Sequence, residues 1–158
     1  MGNNMELDYE MFCYQCEQTA NGKGCTKLGV CGKTPEIAAL QDLLIFQIKG
    51  ISFYGKPLIE QGAHMDKSVV SFIENVLFTT LTNVNFDAAA HVELLKRSQQ
   101  IKDELRGMAG DLPDVPAHAA YHLPETKSEM LHDAPLAGIM YDKSLDPDVR
   151  SLRQTILY

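Results

Sequence analysis

Cysteine is missing from most of this sequence: none follows Cys31 in a chain of 158 residues, and tryptophan is absent altogether. A chain without later cysteines is not stapled by disulfides along its length, so its stability has to come from a hydrophobic core. With 45% apolar and 22% charged residues the composition is that of an ordinary globular protein. A chain of this size buries roughly two-thirds of its unfolded surface, and we therefore expect one domain with a self-sufficient core.

Positive charge is also scarce. The sequence has 14 Lys and Arg against 21 Asp and Glu, a net charge of −7, and no stretch concentrates the basic residues. Nucleic acid binding needs a clustered positive surface, so this class of partner is excluded. No apolar run reaches the ~20 residues that span a bilayer. The first residues, Met1 to Asp8, are acidic where a signal peptide is basic. We expect a cytoplasmic protein without a membrane partner.

The cysteines that are present lie close together, with the spacing Cys13-x2-Cys16-x8-Cys25-x5-Cys31. In a reducing compartment, clustered thiols are more often metal ligands than disulfide partners. The Cys-x-x-Cys pair places two thiolates on one tight turn, and the two further cysteines let the same loop surround a metal centre. The sequence therefore predicts that Cys13, Cys16, Cys25 and Cys31 are the metal and cofactor ligands.

The spacing of the cysteines favours an iron–sulfur cluster over zinc. Zinc ribbons present two Cys-x-x-Cys pairs some ~15 to 20 residues apart, whereas here the second pair is opened to x5 and the connecting loop is shortened to x8. A four-iron cluster is bulkier than one ion and accepts irregular spacing, and glycines within the loop bring amide donors near the sulfurs. The nearest histidine, His64, is too far along the chain for a Rieske-type site. Zinc remains the alternative at this point.

After a short polar tail (residues 1–10) and the Cys/Gly-rich loop (residues 11–33), the pattern becomes helical. Thr34 is a good N-cap and Pro35 suits the first helical position. Apolar residues then recur at helical spacing, and the run Gly55-Lys56-Pro57 is expected to kink or end this first helix. The residues of its predicted apolar face are Ile37, Leu40, Leu44, Ile48 and Ile51.

Two more helices are predicted before residue 109. The second begins near Asp66, and Asp87 is the candidate cap of the third. Their predicted apolar positions are Val69, Val70, Ile73, Val76, Leu77 and Leu81 in the second helix, and Leu94, Ile101, Leu105 and Met108 in the third. Together the three segments predict an all-α fold in which a three-helix bundle, residues 34–108, follows the cysteine loop.

The last third of the chain is predicted to be less regular. Prolines at positions 113, 116, 124 and 135 interrupt residues 109–145, which we expect to form an irregular surface segment with one short helix near Ser128 to His132. The pair His118-x3-His122 is interpreted as exposed loop histidines rather than a second metal site. Asp146 and Pro147 then start a helix over residues 146–158 with apolar positions Val149, Leu152 and Ile156, and we expect this helix to be cut short.

The residues from Met11 to Leu58, MFCYQCEQTANGKGCTKLGVCGKTPEIAALQDLLIFQIKGISFYGKPL, closely resemble the start of the hybrid cluster proteins, also called prismane proteins or hydroxylamine reductases. Further resemblance lies in Leu77 to Asp87 and in Asp146 to Tyr158. The resemblance implies an N-terminal helical domain whose cysteines hold an iron–sulfur cluster. In that family the compact spacing goes with a 4Fe-4S cluster and longer spacing with 2Fe-2S. Carried over by position, the ligands are again Cys13, Cys16, Cys25 and Cys31.

This chain differs from the family in one important respect. Family members reduce hydroxylamine to ammonia and water, and are linked to nitric oxide detoxification, at a second, hybrid iron–sulfur–oxygen cluster. Further Cys, His and Glu residues from later domains bind that cluster, whereas this chain uses all its cysteines for the first one. We therefore expect an electron-transfer portion that is inactive alone, with no catalytic residue of its own. Its partners would be an electron donor protein and the missing C-terminal domains as a separate chain. The alternative is a free-standing iron–sulfur or zinc module that acts through a partner.

Overall fold

The computed structural model describes residues 11–138 and 144–157. Within these ranges the regular structure is helical, and the only extended pairing is an isolated antiparallel bridge between Cys13 and Cys25. The expected all-α class is confirmed. The predicted polar tail, residues 1–10, lies outside the described residues. The helices are α1 (Pro35–Glu60), α2 (Lys67–Thr79), α3 (Ala88–Ala109), α4 (Ala117–Ala120), α5 (Lys127–Asp133) and α6 (Pro147–Leu157).

Helix α1 is the central element of the fold. It starts where the sequence predicted, because the Thr34 hydroxyl accepts a hydrogen bond from the amide of Ile37 at 3.3 Å and Pro35 occupies the first turn. Helix α3 packs along it, and α4 and α5 also contact it. The predicted apolar face of α1 is confirmed, since Ile37, Leu40, Leu44, Ile48 and Ile51 are all buried.

By length and hydropathy alone, α1 could cross a membrane. In this fold, however, 72% of its most apolar window is buried inside the protein. Packing against the neighbouring helices therefore accounts for the apolar character of α1.

Gly55-Lys56-Pro57 was predicted to kink or end α1, and an end at this point is wrong because the helix continues through Pro57 to Glu60. A proline removes one backbone donor and strains one turn, but Tyr54 and Leu58 on either side are buried in the core. Burial of these neighbours stabilises the helical backbone beyond the proline. The helix ends instead at Gln61 and Gly62, where Gly62 has a positive φ of 88°.

Helices α2 and α3 start at the expected caps. The carboxylate of Asp66 accepts from the amide of Ser68 at 2.7 Å, and that of Asp87 accepts from the amide of Ala89 at 2.8 Å. The predicted apolar faces are only partly correct: Val70, Leu77, Leu81 and Met108 are exposed, although Val69, Val76, Ile101 and Leu105 are buried. Apolar periodicity identifies a face but does not show whether a neighbouring element covers it.

The prediction of an irregular surface segment over residues 109–145 is only partly correct for its described residues. The segment contains α4 and α5, and Ala119, Leu123 and Met130 are buried against the rest of the core. The short helix expected near Ser128 to His132 is confirmed as α5, which begins with a capping box between Thr126 and Glu129. The prolines flank short helices rather than abolish them.

Close packing of α4 on α1 depends on Gly50. A Cβ atom at this position would lie 2.5 Å from the carbonyl oxygen of His118 and 2.8 Å from Cδ of Lys102. His118 is itself half-buried, with its ring edge-on to Phe46 at a centroid distance of 6.0 Å. The interpretation of His118 as an exposed loop histidine is therefore wrong, whereas His122 is exposed.

Helix α6 forms where the C-terminal pattern predicted a helix. The carboxylate of Asp146 accepts from the amide of Asp148 at 2.8 Å, which places Asp146 at the start. Its apolar positions Val149, Leu152 and Ile156 are all exposed, and Ile156 is 85% exposed.

Candidate metal centre

The backbone of the cysteine loop brings two of the four candidate ligands together. Cys13 and Cys25 exchange both backbone hydrogen bonds, at 3.0 and 2.9 Å, in the antiparallel bridge. Residues paired in this way have Cα atoms about 5.5 Å apart. The hydroxyl of Thr19 secures the intervening turn by donating to the carbonyl of Cys13 at 3.1 Å. All four cysteines are free thiols.

The sulfur of Cys25 lies in a pocket of hydrogen-bond donors. The amide of Ala20 donates to Sγ at 3.4 Å, and the hydroxyl of Thr19 lies 3.7 Å from it. Burial raises the pKa of this thiol, but the amides of Ala20 and Val30 oppose that effect by hydrogen bonding. With the further help of the Thr19 hydroxyl and the charge of Lys33, the pKa of Cys25 is lowered below its ordinary value. The environment thus stabilises a thiolate, the form that binds metals.

Cys16 and Cys31 are held by separate turns. The carbonyl of Cys16 accepts a hydrogen bond from the amide of Thr19 at 3.1 Å. Cys31 lies in a turn that is closed by the amide of Gly29, which donates to the carbonyl of Lys33 at 2.8 Å. A Cβ atom on Gly29 would lie 3.0 Å from the sulfur of Cys31, so a larger residue here would displace that sulfur or its neighbours by a few tenths of an ångström. In the described part of the chain, no three His, Cys, Asp or Glu side chains are arranged to enclose a metal ion.

The loop is fastened to the helical domain by Gln15, a residue that sequence reasoning missed. Its side-chain amide donates to the carbonyl of Thr80 at 3.1 Å and its side-chain oxygen accepts from the hydroxyl of Thr82 at 3.1 Å. No sequence signal predicts this contact, because Gln15 and Thr80 are 65 residues apart. A small apolar cluster lies beneath the loop and is formed by Met11, Cys25, Ala38, Ala39 and Ala134.

A water-sized cavity of about 10 Å³ adjoins Cys13 and is lined by both polar and apolar groups. Gln41 is among them, and its side-chain oxygen is buried with no hydrogen-bond partner among the described residues. Lys33 lines the same cavity and is also buried, with its Nζ 3.9 Å from Sγ of Cys13. The sequence alone gave no reason to single out either residue.

The donor set suits an iron–sulfur cluster. Thiolates are soft ligands that select zinc, copper(I) or iron–sulfur clusters over hard cations. Amide and hydroxyl donors directed at a cysteine sulfur are the interactions that tune a cluster's reduction potential. The hydrogen bonds to Cys25 and the cation beside Cys13 therefore fit a group with negatively charged sulfurs.

A helical domain with a four-cysteine loop docked on it defines a class of metal-binding redox protein, and comparison with known families makes this specific. The chain matches the model of the Prismane/CO dehydrogenase family over residues 11–158. It belongs to this family, whose members bind iron–sulfur clusters. The resemblance inferred from the residues Met11 to Leu58 is thereby confirmed.

Relatives in this family are named hydroxylamine reductase. The chain is 41% identical to the one from Syntrophobacter fumaroxidans over 152 residues, and 40% identical over 148 residues to those from Bacteroides thetaiotaomicron and Desulfovibrio desulfuricans. In each comparison 94% of this chain is covered. The chain spans only 26–28% of the length of these relatives.

Proposed function

We propose that this chain is the electron-transfer portion of a hydroxylamine reductase and that Cys13, Cys16, Cys25 and Cys31 bind a 4Fe-4S cluster. The observation that carries the proposal is the bridge between Cys13 and Cys25, with hydrogen-bond donors on the sulfur of Cys25. Similarity to hydroxylamine reductases over 94% of the chain supports the assignment to this reaction.

The residues around the loop have defined tasks in this proposal. When bound, an iron–sulfur cluster supplies a carrier for single electrons. The amides of Ala20 and Val30 stabilise the negative charge on Cys25 by hydrogen bonding. Gln15 keeps the loop against the end of α2. Cys16 is half-buried and its neighbour Tyr14 is 48% exposed, so this side of the loop is open to an electron donor protein.

The reduction of hydroxylamine is assigned to the hybrid cluster that the family's later domains bind. No side chain of this chain acts as an acid or base in that step. The partners are therefore the electron donor and those domains, and the compartment is the cytoplasm, where four free thiols stay reduced.

Metal analysis of anaerobically purified protein tests the cluster. We expect a brown protein that contains iron and acid-labile sulfide. Its broad absorbance at about 400 nm should bleach on reduction. Serine at any of the four cysteine positions lowers the iron content, whereas Lys27→Met, a change at an exposed loop position, leaves it unchanged. A colourless protein with one equivalent of zinc would overturn the cluster assignment.

The same preparation tests whether this chain transfers electrons without reducing hydroxylamine itself. We expect the cluster-loaded chain to accept an electron from a chemical reductant and to show no turnover of hydroxylamine. Turnover above that of free iron–sulfur cluster would show that the active site is not in the later domains.

A further inference from the structure

A buried lysine lies beside the cysteine loop, and we propose that Lys33 is a positioning residue that raises the reduction potential of the cluster. The inference rests on the proposed function, because it concerns a cluster bound by Cys13, Cys16, Cys25 and Cys31. Lys33 binds no metal itself and acts through its charge.

The burial of Lys33 is the first observation. Only 2% of the residue is exposed, and lysines are almost never this deeply buried unless they are paired with an opposite charge. The ion pairs among the described residues involve Lys56, Lys96, Arg97 and Lys127 but not Lys33. The carboxylate that lines the same cavity is that of Asp42.

The position of the ammonium group is the second observation. Its Nζ lies 3.9 Å from Sγ of Cys13, at the limit of a hydrogen bond to sulfur. Cys13 is in turn paired with Cys25, a second candidate ligand, in the backbone bridge. The ammonium group therefore lies beside the candidate ligand Cys13, in a cavity that Asp42 also lines.

The backbone fixes Lys33 relative to the loop. Its carbonyl accepts from the amide of Gly29 at 2.8 Å, which closes the turn that contains Cys31. The next residue, Thr34, caps α1. Lys33 is thus held between the loop and the first turn of a buried helix, and its side chain extends to Cys13.

The effect of this arrangement follows from electrostatics. Reduction adds one negative charge to a cluster, so a nearby cation stabilises the reduced form more than the oxidised form. Burial weakens screening by solvent and salt, which strengthens the effect. Lys33 therefore favours reduction, as charge and hydrogen bonding around clusters generally do.

Comparison of Lys33→Met, Lys33→Arg and the exposed control Lys27→Met tests this. Each protein is purified anaerobically, its iron and sulfide are counted, and its reduction potential is measured by a redox titration followed by electron paramagnetic resonance. We expect Lys33→Met to make reduction at least tenfold less favourable, a negative shift of about 59 mV or more for one electron. Lys33→Arg keeps the charge and most of the potential, and Lys27→Met does not change it.

The outcomes separate this inference from the proposed function. If the unmodified protein holds no iron and sulfide, the proposed function fails. If all variants hold the cluster at one potential, only the role of Lys33 fails. If Lys33→Met holds no cluster but Lys33→Arg does, the charge is needed to bind the cluster rather than to set its potential, and the inference is wrong. If neither variant binds the cluster, Lys33 is needed for packing rather than for its charge, and the inference is wrong.

Discussion

At the scale of single residues, Gly29 is closely packed against Cys31, one of the four candidate ligands. A Cβ atom there would lie 3.0 Å from Sγ of Cys31 and 3.0 Å from Cβ of Lys33, so the substitution Gly29→Ala requires these atoms to move. We expect Gly29→Ala to lower the iron content of anaerobically purified protein by more than half while leaving its helical circular dichroism unchanged. The helices keep their own core, which does not include Gly29.

The matched control for this prediction is Gly107→Ala. Gly107 lies in α3, and a Cβ atom added there meets no atom within 4 Å. This variant should bind as much iron as the unmodified protein and be slightly more stable, because alanine favours a helix by up to ~1 kcal/mol over glycine. Equal iron content in both variants would show that the Gly29 turn does not position Cys31.

Sequence reasoning identified the residue types of the site but not its surroundings. The four cysteines are recognisable because they lie close together in the sequence, and their role as ligands stays a prediction. Gln15 and Lys33 are invisible in the sequence because their importance comes from contacts made only in the folded chain: Gln15 with Thr80, and Lys33 with Cys13. Long-range contacts of this kind have no local pattern.

At the scale of helices, the sequence predicted where α1, α2 and α3 begin, because N-caps are local signals. It failed where tertiary packing decides. Pro57 is tolerated inside α1 because its neighbours are buried, and α4 is too short to produce a periodic pattern. Close packing of α4 against α1 at Gly50 stabilises this short helix.

The junction of α1, α3 and α4 contains a second buried lysine with a predictable effect on stability. Burial lowers the pKa of Lys102 from 10.5 to about 8 in the folded protein. Its Nζ donates to the carbonyl of Tyr121 and lies 5.6 Å from the centre of that ring. Between about pH 8 and pH 10.5 the unfolded chain holds a proton that the folded protein has released, so the free energy of unfolding rises with pH through this window.

Removal of the Lys102 amine should remove this increase of the free energy of unfolding with pH. We expect Lys102→Met to lower the pH-dependent gain in the free energy of unfolding by roughly 1 to 3 kcal/mol between neutral pH and pH 10, as measured by urea unfolding at several pH values. The pKa of Lys49, also lowered by burial, contributes equally to both proteins and cancels in the difference. Lys96→Met, at an exposed position of α3, is the control. If the free energy of unfolding changes with pH by the same amount in the unmodified protein and in Lys102→Met, the prediction is contradicted.

At the scale of the whole molecule, several large apolar side chains remain exposed on the surface. One side of α2 and the loop after it carry exposed apolar residues, which we name the α2 face: Val70, Leu77, Phe78 and Leu81. Phe78 alone is 58% exposed. Several large apolar side chains exposed on one short stretch of chain indicate an interaction site. The chain spans 26–28% of the length of its relatives.

We expect the α2 face of the purified chain to associate with the same face of a second copy. We expect the purified chain to show a molar mass that increases with concentration when measured by size-exclusion chromatography with light scattering. The double change Leu77→Ser and Phe78→Ser should shift the protein toward the monomer, because it removes apolar surface that association would bury. Met108→Ser, which alters a residue that is 66% exposed at the end of α3, is the control and should leave the association unchanged. A monomer at every concentration, or an equal shift in the control, would show that the α2 face does not drive association.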